Sequence, residues 1–283
     1  MLGRNHAAMG LLIGEAVLLV GHTHSLAIAP TLIGLTAGSL WPDVDEPNSR
    51  VSRSLGFISR TFSSVVNLVS GGHRQATHSP IGIAIMGACA YLIGLSHVGH
   101  LVLAIGATFI ILKSVVPWGI RALLLGGTIG AAVISVFVGF WLSHAALLPL
   151  VIGFGLGSLI HLAGDWVTPS GVPWLWPISS RHFSLGLWST DSFTEHLVGL
   201  VLWIGVFVGG WHLLGTVALP SLPSLSSLPS SKTVRSSVAG HGFSSLFHYA
   251  VTHTTQLFAS TIVKLQSMLA TFLQQHHILG KYL

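Results

Sequence analysis

An all-α membrane protein, a polytopic helical bundle of about seven spans with a C-terminal amphipathic helix, is the fold class this chain predicts. Three observations carry it. Only 7% of its 283 residues are Asp, Glu, Lys or Arg, against roughly 25% in an ordinary soluble domain. Hydrophobic residues reach 51% and mean hydropathy is +0.77, so a globule of this size would lack a charged skin. The apolar residues also gather in long runs, near the length of about 20 residues that a bilayer core requires of a helix. So much apolar surface equally excludes a disordered chain.

The runs place spans near 7–21, 25–41, 79–96, 99–117, 121–142, 145–163 and 194–216. The first two are short and joined by Gly21-His22-Thr23-His24, which suggests a tilted hairpin with His22 and His24 in solvent. Gly34 and Gly38, Gly126, Gly127 and Gly130, and Gly153, Gly155 and Gly157 are spaced to let helices approach closely in lipid. Trp41, Trp118, Trp141 and Trp166 fall at span ends, where an interfacial aromatic belt belongs. Between the second and third spans, Leu55, Ile58, Phe62, Val65, Val66 and Val69 predict a short interfacial helix.

Residues 1–216 thus form the membrane-embedded domain. A Pro/Ser-rich linker follows over 217–240, where prolines forbid a regular helix. The tail, 241–283, has Leu246, Phe247, Ala250, Leu257, Ile262, Leu265, Leu269 and Phe272 at helical spacing and reads as an amphipathic helix with His248, His253, His276 and His277 on its polar face.

Net charge is +5, but the basic residues stand singly, so no nucleic-acid groove is expected. Arg4, Arg50, Arg53, Arg60, Arg74, Arg121 and Arg181 all fall on one side of seven alternating crossings, which the positive-inside rule makes cytoplasmic. The single Cys89 excludes an intrachain disulfide and a thiolate zinc site.

The acidic residues are few and oddly placed. Asp43, Asp45 and Glu46 end the second span, Asp165 the sixth, and Asp191 and Glu195 open the seventh; only Glu15 lies well inside one. His6, His73, His78, His161 and His196 belong to the same face. His161 and Asp165, four apart on a helix, can grip one metal ion. Asp43-Val44-Asp45 can aim two hard oxygen ligands into one pocket, although such a pair also ends helices through Asx turns. His73 and His78 flank a turn opened by Gly71-Gly72. Imidazole and carboxylate without thiolate suit zinc, manganese or iron, one ion or two, and such centres turn water into a nucleophile near neutral pH. Arg74 could hold a phosphate oxygen in its planar fork.

Pro42-Asp43-Val44-Asp45 after an apolar span, the segment from His73-Arg74 to Thr77-His78-Ser79, and the closing His161-x-x-x-Asp165 resemble the YdjM-like family, as do Trp176-Pro177 and Arg181-His182-Phe183-Ser184 ahead of Glu195. Gln75 stands where the family usually has Gly, and Glu46 where a His often follows. The resemblance runs from His6 to about residue 215. It implies a bacterial inner-membrane, metal-dependent hydrolase, with metal-site roles for Asp43, Asp45, His73, His78, His161 and Asp165, and for His6 and Glu195 beside them. A mixed His/Asp/Glu set on helices is also distantly similar to the phospholipase C/P1 nuclease superfamily, which favours phosphoester chemistry.

The expected function is therefore hydrolysis of a phosphoester in a membrane lipid or lipid-linked substrate at the cytoplasmic face. Arg74 would stabilise developing charge, and Glu195 would ligate or accept a proton. A metal-ion or proton transporter using Glu15 as a relay, and a scaffold that binds partners through its tail, are the competing expectations.

Overall fold

The structure is a computed structural model; it describes residues 1–21 and 25–216. The linker and tail expected over 217–283, with His248, His253, His276 and His277, and also His22 and His24, lie outside the described residues. Met1–Val217 form one compact unit.

Nine α-helices carry the described residues: α1 (Gly3–Gly21), α2 (Ser25–Gly38), α3 (Phe57–Ser70), α4 (Pro80–Gly94), α5 (His97–Ser114), α6 (Trp118–Leu125), α7 (Gly127–Ser143), α8 (Leu147–Trp166) and α9 (Phe193–Thr216). Two single 3-10 turns, Trp41–Asp45 and Ala76–His78, interrupt the long loop between α2 and α4. No strand occurs among the described residues; a lone bridge pairs Val172 with Phe183 in the loop before α9.

Helices α5, α8 and α9 are long and apolar enough to cross a membrane, while α2, α4 and α7 are apolar over shorter lengths. The outer face of α9 shows why lipid suits it: Leu197, Leu200, Val201, Ile204, Phe207 and Val208 are all exposed, and a helix apolar on every side has no other stable solvent. Trp118, Trp141 and Trp166 are exposed as an interfacial belt requires, whereas Trp41 turns inward and packs edge-on against Phe154 at 5.9 Å.

The span expected over 121–142 is two helices. Gly126 and Gly127 both adopt positive φ, +67° and +73°, a conformation that ends a helix and that glycine alone enters freely. The short α6 is anchored there by Arg121, whose guanidinium donates to the carbonyls of Leu112, Lys113 and Val116 at the end of α5. Helix α3 is amphipathic as expected, with Phe57, Ile58, Leu68 and Val69 exposed together.

One seam positions the site. Helices α2 and α8 touch backbone to backbone at glycines: a Cβ on Gly38 would lie 2.0 Å from the Phe154 carbonyl oxygen, and one on Gly157 would lie 2.1 Å from that of Leu35. That approach carries the end of α2 onto the last turns of α8. Helices α2 and α8 end, and α1, α4 and α9 begin, at one end of the unit, so helix tips distant in sequence gather there.

Candidate metal centre

Pro42 cannot continue α2, and the chain tightens into the 3-10 turn that carries Asp43 and Asp45. Asn67 of α3 holds this turn, its Nδ2 donating to the Asp45 carbonyl at 2.7 Å. The second turn is set from the other side. Ser79 caps α4, its Oγ accepting from Gly82 N–H at 3.0 Å, with Pro80 next in line. His78 is thereby fixed at the mouth of α4. Upstream, Gly71, Gly72 and Arg74 all take positive φ, which aims the Arg74 N–H at Asp45 Oδ2, 3.1 Å away.

Asp43 and Asp165 both approach the facing Nε2 atoms of His78 and His161. His78 Nε2 lies 3.2 Å from His161 Nε2, and each lies 3.5 Å from Asp165 Oδ2. Asp43 Oδ1 is 3.6 Å from His161 Nε2 and 3.9 Å from His78 Nε2. Three of the four residues are fully enclosed; the Asp43 side chain alone keeps 21% exposure and opens the site.

All four converging atoms are acceptors. His161 Nδ1 faces the Ser39 carbonyl oxygen at 2.8 Å, which can only accept, so Nδ1 carries the proton and Nε2 presents its lone pair. His78 Nδ1 faces Asp45 Oδ2 at 3.3 Å with the same result. Asp165 Oδ2 has no hydrogen-bond partner among the described residues. A proton shared between the two imidazoles would satisfy one pair, whereas a cation satisfies all four; the residues present therefore fit a metal ion.

Around this point the remaining site residues take different places. Asp45, fully buried, accepts from His73 Nδ1 at 2.6 Å, from the Thr77 hydroxyl and from the Arg74 N–H. Burial alone would raise its carboxyl, yet the bonds from His73 and His78 hold it well below the usual range. Burial alone would lower His73, and the same bond to Asp45 pushes it up instead. For His78 burial prevails and the imidazole is pushed down, which favours the neutral ring that ligates metals. His6 stacks on His161, ring centroids 3.8 Å apart, with Nε2 3.2 Å from Asp165 Oδ1. It fits because Gly164 bears no side chain: a Cβ there would lie 2.9 Å from the imidazole.

Arg74 does not reach freely into the pocket. Its guanidinium pairs with Asp165 Oδ1 at 2.9 Å and its other nitrogen lies 3.5 Å from Thr168 Oγ1; the Met1 ammonium shares Oδ1 at 2.6 Å. Glu195 is fully buried but belongs to a different knot. Its Oε1 accepts the Leu2 N–H and lies 3.3 Å from Asn5 Nδ2, while Oε2 accepts the Asp191 N–H at 2.6 Å. These bonds tie the start of α1 to the start of α9. His196 is exposed beside Asp191.

Ser39, Thr77 and Gly164 were not foreseen from sequence. Thr77 could have been, since it stands inside the His73–His78 segment; Ser39 acts through its main chain and leaves no side-chain signal. Among the described residues, three overlapping sets of metal-capable donors result: His6, His161 and Asp165; Asp43, His78 and His161; and Asp45, His73 and His78. No curated protein and no solved structure matches the chain. The family model described as YdjM inner membrane protein matches residues 1–229, and across that length the chain belongs to the YdjM inner membrane protein family.

Proposed function

We propose that this protein is a multi-pass, metal-dependent hydrolase of the bacterial inner membrane that cleaves a phosphoester in a lipid-linked or amphipathic substrate at the cytoplasmic face. The observation that carries the reading is the convergence of four acceptor atoms, two imidazole and two carboxylate, with no donor among them. His78, His161 and Asp165 would hold the ion, and Asp43, the most distant of the four, would stand beside its fourth position, which water can take. A divalent cation there supplies Lewis acidity and brings the pKa of water toward neutrality.

The chain's own residues supply the rest. Ser39 and Asp45 fix the tautomers of the two histidines. Arg74, paired with Asp165 Oδ1, would orient that carboxylate toward the ion. Asp43, the donor nearest solvent, is the group placed to receive a proton at the open side. A lipid-linked substrate is supported by an apolar cavity of about 430 Å³ between α2, α4, α5 and α8. A second cavity, of about 500 Å³, shares its Trp41, Phe62, Ile85 and Met86 walls and reaches Thr77 beside the centre. Together they follow α4 from Gly82 to Ile93, about 16 Å at the helical rise, and would take a hydrocarbon tail. The arginine distribution of the loops supports the cytoplasmic orientation.

Purified protein should contain a transition metal and turn over phosphoesters, with both lost in His161→Ala and turnover lost in Asp43→Ala. Absence of metal, or unchanged turnover in those variants, would refute the reading. Transport is the second reading, favoured by Glu15, whose Oε2 is buried against Gly209 of α9 without a hydrogen-bond partner among the described residues. Metal-dependent flux in proteoliposomes without hydrolysis would favour it.

A further inference from the structure

The four converging donors suit one ion better than two. A tetrahedral ion with bonds of about 2.0–2.1 Å sets its ligands about 3.3–3.4 Å apart. The distances among His78, His161 and Asp165 are 3.2, 3.5 and 3.5 Å, and Asp43 stands 3.6 and 3.9 Å from the histidines. Asp45 does not share that geometry. Its 2.6 Å separation from His73 is a hydrogen bond, too short for two ligands of one such ion. Its carboxylate also accepts from the Arg74 N–H and the Thr77 hydroxyl and faces His78 Nδ1, so ligation would have to break bonds that are already made.

The far side of Asp165 is closed to a second ion as well. Its Oδ1 is paired with the Arg74 guanidinium at 2.9 Å, and a divalent cation bridging from that oxygen to His6 would meet a fixed positive charge. The Arg74 guanidinium and the Met1 ammonium thus already pair with the oxygen a second ion would need.

We infer that the centre takes a single ion, and that Asp45 is a positioning residue that holds His78 rather than a ligand. The inference rests on the metal-centre reading above and narrows it. It separates two aspartates two residues apart: Asp43 faces the ion, while Asp45 faces the back of an imidazole that faces the ion.

The test is titration of detergent-purified protein with Zn²⁺ and Co²⁺, following stoichiometry, affinity and the cobalt absorption of a tetrahedral site. Wild type should bind one ion per chain. Asp45→Asn should still bind one, with the same cobalt spectrum and an affinity weakened roughly 10–100-fold, the usual effect of losing such a partner. Asp165→Asn should lose the tetrahedral spectrum. Should Asp45→Asn fail to fold, His73→Gln serves instead, and is expected to leave both stoichiometry and spectrum unchanged. Two ions per chain, or loss of the ion in Asp45→Asn or His73→Gln while wild type binds one, would overturn the inference and leave the metal centre standing. Failure of wild type to bind either metal would overturn both.

Discussion

His78 and His161 present their Nε2 atoms to each other across 3.2 Å, each backed at Nδ1 by an oxygen: Asp45 Oδ2 for one, the Ser39 carbonyl for the other. Two lone pairs face each other between buried side chains, which costs free energy until something positive stands between them. Sequence places these histidines on different loops and helices. The fold makes them a pair.

Removing either member of that pair should abolish metal retention, whereas removing a nearby exposed imidazole should not. His78→Ala and His161→Ala are expected to be purified free of metal, and His196→Ala to match wild type. Elemental analysis of the three variants checks this.

Glu195 should prove structural. Glu195→Gln leaves one of its two backbone N–H partners facing an amide NH₂, and an unsatisfied buried donor costs about 1–3 kcal/mol. The expected result is a lower unfolding temperature in detergent with metal content unchanged. Loss of metal without loss of stability would assign it to the centre instead.

The α2–α8 seam should be felt at the site. A Cβ on Gly157 would lie 2.1 Å from the Leu35 carbonyl oxygen and 2.8 Å from the Ser39 nitrogen, so Gly157→Ala must push the two backbones apart. Overpacking of this kind costs about 1–3 kcal/mol. Displacing Ser39 also loosens its carbonyl from His161, so metal affinity should fall along with thermal stability, measured on the same sample.

The His73–Asp45 pair should show itself in the pH dependence of the metal-free protein. His73 is raised in the folded state, so its stabilising contribution is complete below the ordinary histidine value of about 6.5 and disappears as pH rises through the raised one. The gap in unfolding temperature between wild type and His73→Gln should therefore be widest in mild acid and close in alkali. A gap independent of pH would contradict the ion pair.

Much of the fold was legible because lipid imposes long apolar runs, and the runs that became α5, α8 and α9 are read from composition alone. The break at Gly126-Gly127 was not, since glycines in apolar helices serve close packing as readily as termination. At the site, the four-residue spacing of His161 and Asp165 foretold a shared face, and both are buried side by side. Asp43 and Asp45 were indistinguishable as sequence; a tight 3-10 turn points them to opposite sides of His78, and nothing in the letters Asp-x-Asp encodes that divergence. Glu195 looked like a ligand because it is an acid at the right end of a helix, yet it serves the backbone of Leu2 and Asp191.

The partial exposure of Asp43 has a kinetic consequence. An ion seated among three enclosed donors can exchange only past that one aspartate, so chelators should strip it slowly and at a rate set by the opening of the Trp41–Asp45 turn. Protein prepared without added metal would then keep whichever ion it acquired in the cell.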